Sequence, residues 1–332
     1  MQGRQRLQVI SNEGQAAARQ SGSGLPRRVH GGSRRWPSSD RVTSLLLIAP
    51  SVLAVAVFVY GFIGFTAFAS LTKWDALAPD FTFVGLRNYV RLFETVRFQI
   101  DLRNTVTFTG FFLVSCLSLG FLLAVLLDQR IRAEGVFRSI FLFPLALSFI
   151  VTGVVWRWLL NPGSVQLGST GINLLLDRIG LGLLKSGWYT DPKFGIKAVV
   201  IAATWQMSGY VMAMYLAGLR GIPEELREAA RVDGASSFQV YRHIVVPLLN
   251  PITLGAVIIL GHISLKIFDL VVAMTGPGPG FSSDVPAFFM FDTTFRGNNF
   301  AQGAGIAIIL LVMIAVLIVP YLVYSLRTET QR

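Results

Sequence analysis

The sequence predicts an all-α integral membrane protein with six transmembrane helices, and three observations carry that prediction. Of its 332 residues, 53% are hydrophobic and only 14% are charged, where soluble domains carry about 25% charged residues. Mean hydropathy is +0.58. Six apolar runs, at about 45–69, 105–127, 136–159, 196–219, 252–275 and 304–326, each reach the roughly 20 residues that cross hydrocarbon as a helix. A span must satisfy its own backbone hydrogen bonds, which favours helix throughout.

Residues 1–41 precede the first run. They hold eight Arg against Glu13 and Asp40, with almost nothing apolar to bury, and are read as a disordered basic cytoplasmic tail. Ala67-Phe68-Ala69 imitates a signal-peptidase site, but the run before it is long enough to span, so the first helix is read as uncleaved. Residues 42–328 form the membrane domain. Pro50, Pro144 and Pro320 fall in or near spans and are expected to kink them. Placing the N-terminus inside puts seventeen Lys and Arg on inner segments and nine on outer ones, the bias that cytoplasmic loops carry. Both termini are then cytoplasmic. Trp156 and Trp158 are read as anchors at a membrane interface.

The longest polar interruption of the second half is residues 222–250. Pro223, Glu224 and Glu225 suit a helix N-terminus. Leu226, Ala229, Ala230 and Asp233 share one face at helical spacing, with Glu228 off it. Gly234 ends that helix. Ser236 or Ser237 caps a second one, with Phe238, Tyr241 and Val245 on one side. Pro247 disfavours helix at Val246, and Pro251 opens the next apolar run. The expected unit is a helix, a glycine turn and another short helix at the membrane surface. Its acidic and basic residues nearly balance, so it offers no footprint for nucleic acid.

The pattern Glu228-Ala229-Ala230, Gly234, Ile244 and Val246-Pro247 resembles the EAA motif of ATP-binding-cassette importer permeases, with Val246 where the family usually has Leu. Asp233-Gly234-Ala235 fits the carbohydrate-uptake branch. Residues 83–89 and the turn 275–280 are similar to segments of the same branch, and 265–290 looks most like glucose- and mannose-type members. This resemblance implies that 222–250 is a cytoplasmic coupling-helix loop docking on a separate ATPase. It further implies a dimer of such ATPases carrying ATP and Mg, a second homologous permease and an external sugar-binding protein. The chain itself then holds no cofactor and is no enzyme.

Polar residues inside apolar spans are costly and therefore informative. Trp205, Gln206 and Tyr210 lie in the fourth span, where aromatic planes and hydrogen-bonding tips suit a sugar ring. His262, Lys266 and Asp269 fall at i, i+4 and i+7 of the fifth span and are expected on one face. Lys266 and Asp269 stand open as either sugar contacts or a structural pair. In maltose-type permeases the corresponding helices contact sugar; Trp205 and Tyr210 match such positions, and Ser264 falls beside another. Other chemistries find no support. Cys116 is the one cysteine, and His30, His243 and His262 are the only histidines, so no metal cluster is expected. Residues 182–186 imitate a phosphate-binding loop, but Leu184 stands where Gly should precede Lys185. A second reading is a proton-coupled secondary transporter using Lys266 and Asp269, against which the chain offers no inverted repeat.

Overall fold

A computed structural model of the chain describes residues 38–129, 131–164, 166 and 168–329, with side chains between 43 and 323. Residues 1–37, Arg130 and Arg332, which entered the orientation argument, lie outside the described residues. The chain divides into two units, up to Tyr60 and from Gly61 onward. The first holds α1, Ser38–Val55, with Pro50 inside it. α1 starts before the tail boundary at 41, because Ser38 and Asp40 are residues that favour a helix start.

The second unit contains α2 (Phe62–Ser70), α3 (Arg87–Glu94), α4 (Val96–Asp128), α5 (Glu134–Leu142), α6 (Phe149–Leu159), α7 (Gly171–Arg178) and α8 (Gly195–Gly221). It continues through α9 (Glu224–Val232), α10 (Ser237–Val240), α11 (Val246–Leu248), α12 (Asn250–Leu265), α13 (Asp269–Met274), α14 (Pro286–Phe291) and α15 (Phe300–Glu329). Among the described residues β structure is limited to two isolated bridges, Thr72 with Phe83 and Ser164 with Gly168.

Four helical stretches are long and apolar enough to cross a membrane: Thr43–Ser70, Val96–Asp128, Gly195–Gly221 and Phe300–Val323. Two further pairs count as spans only if each is taken across a bend: Glu134–Ala146 with Phe149–Leu159, bent by 100°, and Ser237–Leu248 with Asn250–Leu265, bent by 62°. The expected third span is thus broken. Pro144 sits in a 3₁₀ turn, Phe143–Ala146, where its missing N–H and its ring end the α-helical ladder. Ser148 restarts helix by accepting the Val151 N–H. The carbonyl freed at Leu147 takes a hydrogen bond from Gln206 Nε2 at 2.7 Å, as a membrane interior requires.

α8 is the centre of the second unit. Of its most apolar stretch 72% is buried inside the protein, against 11% for Phe300–Val323. Its long neighbour α4 contributes Phe98, Phe108, Phe112 and Cys116 to the same core. The two helices approach closely at Gly120, where a Cβ would lie 2.6 Å from Val211 Cγ1. Small residues allow such contact where hydrocarbon gives helices no hydrophobic reason to associate.

Candidate functional site

The 222–250 loop forms as a helix, a turn and a capped helix. Pro223 is the N-cap of α9 rather than its first residue, and Glu224 and Glu225 fill the first turn. At the other end Gly234 takes φ +83°. Its N–H donates to the Arg231 carbonyl at 3.0 Å, and the Ala235 N–H donates to the Ala230 carbonyl at 2.9 Å. These two bonds make a Schellman turn, which explains why Ala230, Gly234 and Ala235 occur at this spacing. Ser236 then caps α10 in a reciprocal capping box with Gln239. Helix does persist through Val246, against expectation. A π turn at Tyr241–Val245 precedes Pro247, and its wider ring relieves the clash that a proline imposes on the preceding turn. Val245 is buried but Phe238 is exposed, so the face predicted for α10 is not one face after the turn widens.

No residue of α9 is buried. Leu226, Glu228, Ala229, Val232 and Asp233 are exposed, while Ala230, Ala235 and Ile244 are partly covered. The inward anchor is Arg227. Its Nη1 lies 3.0 Å from Asp128 Oδ2 at the end of α4, and its Nη2 donates to the Leu219 carbonyl of α8 at 2.9 Å. Nearby, Glu134 pairs with Arg220 at 2.7 Å and with Arg138 at 2.5 Å. A cleft of about 1050 Å³ is lined by Asp128, Leu219, Arg220, Arg227, Glu228 and Arg231.

The residues predicted to line a substrate path separate. Trp205 lines a cavity of about 520 Å³ with Leu119, Phe141, Pro144, Trp156 and Ser208. Its ring meets Trp156 edge-on, centroids 6.0 Å apart, so Trp156 forms part of the cavity wall; Trp158 is exposed. Gln206 is buried on the α6 bend, and Tyr210 packs against the core. Tyr210 lies five positions after Trp205, which puts the two about 140° apart around the helix. On α12, Ser264 is buried and accepts from Thr109 Oγ1 of α4 at 3.0 Å. The shared face of His262, Lys266 and Asp269 does not form. Helix ends at Leu265, Lys266 is its C-cap, and Asp269 opens α13. A cation at a helix C-terminus and an anion in a first turn are each favoured by the helix dipole, so these charges mark a break. Among the described residues neither makes an ion pair, and both are exposed.

Residues 116–328 match the family described as the binding-protein-dependent transport system inner membrane component. The chain belongs to this family. It is 43% identical over 292 residues to a probable ABC transporter permease protein of Pyrococcus horikoshii, covering 88% of this chain and 98% of that one. It is 34% identical to the xylose/arabinose import permease protein of Haloferax volcanii over 296 residues, 89% of this chain and 91% of the relative. A bacterial alginate ABC transporter, crystallised with an alginate pentasaccharide-bound periplasmic protein, shares the fold of one chain at TM-score 0.70 and 22% identity, over 86% and 96% of the two chains. The protein is therefore a membrane transport subunit, not an enzyme.

One cluster of the permease was missed in the sequence. Arg97 Nε lies 2.6 Å from Asp284 Oδ2 and Nη1 lies 2.7 Å from Asp292 Oδ2. Its guanidinium sits 5.0 Å and 4.5 Å from the Phe281 and Phe289 ring centroids. Asn104 Nδ2 donates to the Phe281 and Asp284 carbonyls. Burial raises the Asp284 carboxyl above the ordinary carboxylate range, opposed by Arg97. The loop reaches Arg97 through the turn 275–280, where Gly276, Gly278 and Gly280 all have positive φ. Arg97, Asp101 and Asn104 at i, i+4 and i+7 were the available signal: a polar stripe opening an apolar helix.

Proposed function

We propose that this permease moves a sugar into the cytoplasm as one subunit of an ATP-driven importer. In this reading it pairs with a second homologous permease, a dimer of cytoplasmic ATPases carrying ATP and Mg, and an external sugar-binding protein. Both termini and α9 face the cytoplasm of a prokaryotic cell, and the chain spans six times. The observation that carries the reading is α9. It is closed at its C-terminal end by the Gly234 turn, anchored inward by Arg227, and yet leaves Leu226, Ala229 and Val232 uncovered beside Glu228. Glu228, Ala229, Ala230, Asp233, Gly234, Ala235, Ile244 and Pro247 then shape the contact that the ATPase grips. Closure of the ATPases on ATP moves α9 and exchanges outward for inward access. Each partner drives the exchange only by binding one conformation better than the other.

A sugar substrate is supported by the xylose/arabinose relative and by the Trp205–Trp156 wall, since aromatic faces pack on sugar C–H surfaces. We assign a monosaccharide of the glucose or mannose type, or a small oligosaccharide. Trp205 is the contact that the geometry favours; Tyr210, His262, Lys266 and Asp269 stand as second candidates, and Gln206 and Ser264 serve the packing around the path. The test is uptake of radiolabelled glucose and mannose by proteoliposomes holding the complex purified through this chain, with its binding protein outside. We expect uptake only with ATP inside, and lower uptake with Trp205→Ala. Uptake that survives loss of the ATPase but collapses with the proton gradient would instead favour the secondary transporter.

A further inference from the structure

α4 carries an ion-pair anchor at each end. Arg97, in its first turn, holds Asp284 and Asp292; Asp128, its last residue, holds Arg227. With 33 residues, α4 is about 50 Å long, enough to join the two sides of a membrane as one stiff element. Its second half is packed closely against α8 at Gly120.

Arg227 and Glu228 are neighbours in sequence but have opposite duties on α9. Glu228 is exposed, whereas only 11% of the Arg227 side chain is accessible. The Arg227 fork grips two helices together, α4 through Asp128 and α8 through the Leu219 carbonyl. A planar guanidinium can hold a carboxylate and a carbonyl in fixed relative positions; an ammonium is a single point charge and cannot. We propose that Arg227 is the positioning residue that transmits movement of α9 to the membrane helices, and that α4 carries this movement to the Arg97 anchor of the 276–285 loop. The proposal rests on the reading of α9 as the ATPase contact. Arg227 acts through Asp128 and Leu219 and lies away from the docking face.

The test uses the complete complex in proteoliposomes and reads the ratio of ATP hydrolysis with and without sugar-loaded binding protein. Asp128→Asn and Arg227→Lys should each lower this ratio by about tenfold, a coupling effect of usual size. The ATPase subunit should still co-purify, and hydrolysis without binding protein should hold. Exchanging the charges, Asp128→Arg with Arg227→Asp, should recover part of the ratio. Should the exchanged pair fail to fold, Asp128→Asn alone decides. Variants that lose yield or melting temperature but keep the parental ratio would reduce the pair to a structural tie and overturn the proposal. Loss of ATPase co-purification would also overturn it, by making Arg227 part of docking. A parent complex that co-purifies no ATPase would remove the underlying reading of α9, a failure visible before any variant is made.

Discussion

Arg97 is held by two carboxylates and two aromatic rings, and Asp284 beneath it is fully buried. Removing the guanidinium leaves a buried carboxylate without its partner, which costs about 3–5 kcal/mol. Arg296 also pairs with Asp292, at 3.3 Å, but its side chain is 66% exposed. An exposed pair of that kind contributes about 0–1 kcal/mol. Arg97→Gln should therefore lower the melting temperature of the detergent-purified permease sharply, while Arg296→Gln should leave it nearly unchanged. Equal effects would contradict this ranking. Gly234 makes a different single-residue demand. Nothing lies within 4 Å of where its Cβ would be, so the constraint is purely the φ of +83°. Alanine there costs about 1–2 kcal/mol of backbone strain, and asparagine tolerates the left-handed region better. Gly234→Ala should reduce uptake per molecule more than Gly234→Asn; the reverse order would place the cause in contacts to a partner.

At the scale of elements, local signals were legible and long-range ones were not. The α9 turn and the α10 cap are written within a few residues; the sequence places the turn at Gly234 and the cap at Ser236 or Ser237, and the structure chooses Ser236 through its box with Gln239. The breaks at Pro144 and at Lys266–Phe268 depend on what surrounds them. A proline in a span is compatible with a kink or a full break, and Gln206, 59 positions beyond Leu147, supplies the hydrogen bond that stabilises the break. Lys266 and Asp269 have the spacing of one helical face and equally the charges of two helix ends, and only the structure separates these meanings. Trp205 was legible because a large aromatic in a span calls for an explanation; its partner Trp156 was not, since the bend of α6 brings it there. Gln206→Leu should orphan the Leu147 carbonyl and cost about 1–3 kcal/mol. We expect a lower melting temperature with unchanged sugar preference. Altered preference at an unchanged melting temperature would return Gln206 to the substrate path.

For the whole molecule, the open structural quantity is the number of crossings, from four to six. Four or six crossings leave the termini on one side and five would separate them, while the side of α9 relative to the N-terminus turns on the first bent pair alone. Leu77 follows the first span, Leu183 lies between α6 and α8, and Val232 lies just beyond α8; their side chains are 75%, 101% and 87% exposed. If each bent pair crosses once, two spans separate Leu77 from Leu183, and the two share a side. If the first bent pair does not cross, only α4 separates them, and they lie on opposite sides. α8 separates Leu183 from Val232 in either case, as an internal control. The sole cysteine, Cys116, is fully buried, so a cysteine introduced at each position reports alone. With an impermeant maleimide added to intact cells, six spans and a cytoplasmic α9 require labelling of Leu77→Cys and Leu183→Cys, and of Val232→Cys only after permeabilisation. Labelling of Leu77→Cys and Val232→Cys from outside, with Leu183→Cys protected, would show that the first bent pair does not cross and would put α9 on the wrong side for an ATPase. The inner placement of α9 is favoured by Arg132, Arg138, Arg220 and Arg242 in the segments near it, since basic loops are retained in the cytoplasm. A single experiment thus tests the first bent pair and the coupling reading together, because with the N-terminus inside, α9 can meet an ATPase only if that pair crosses.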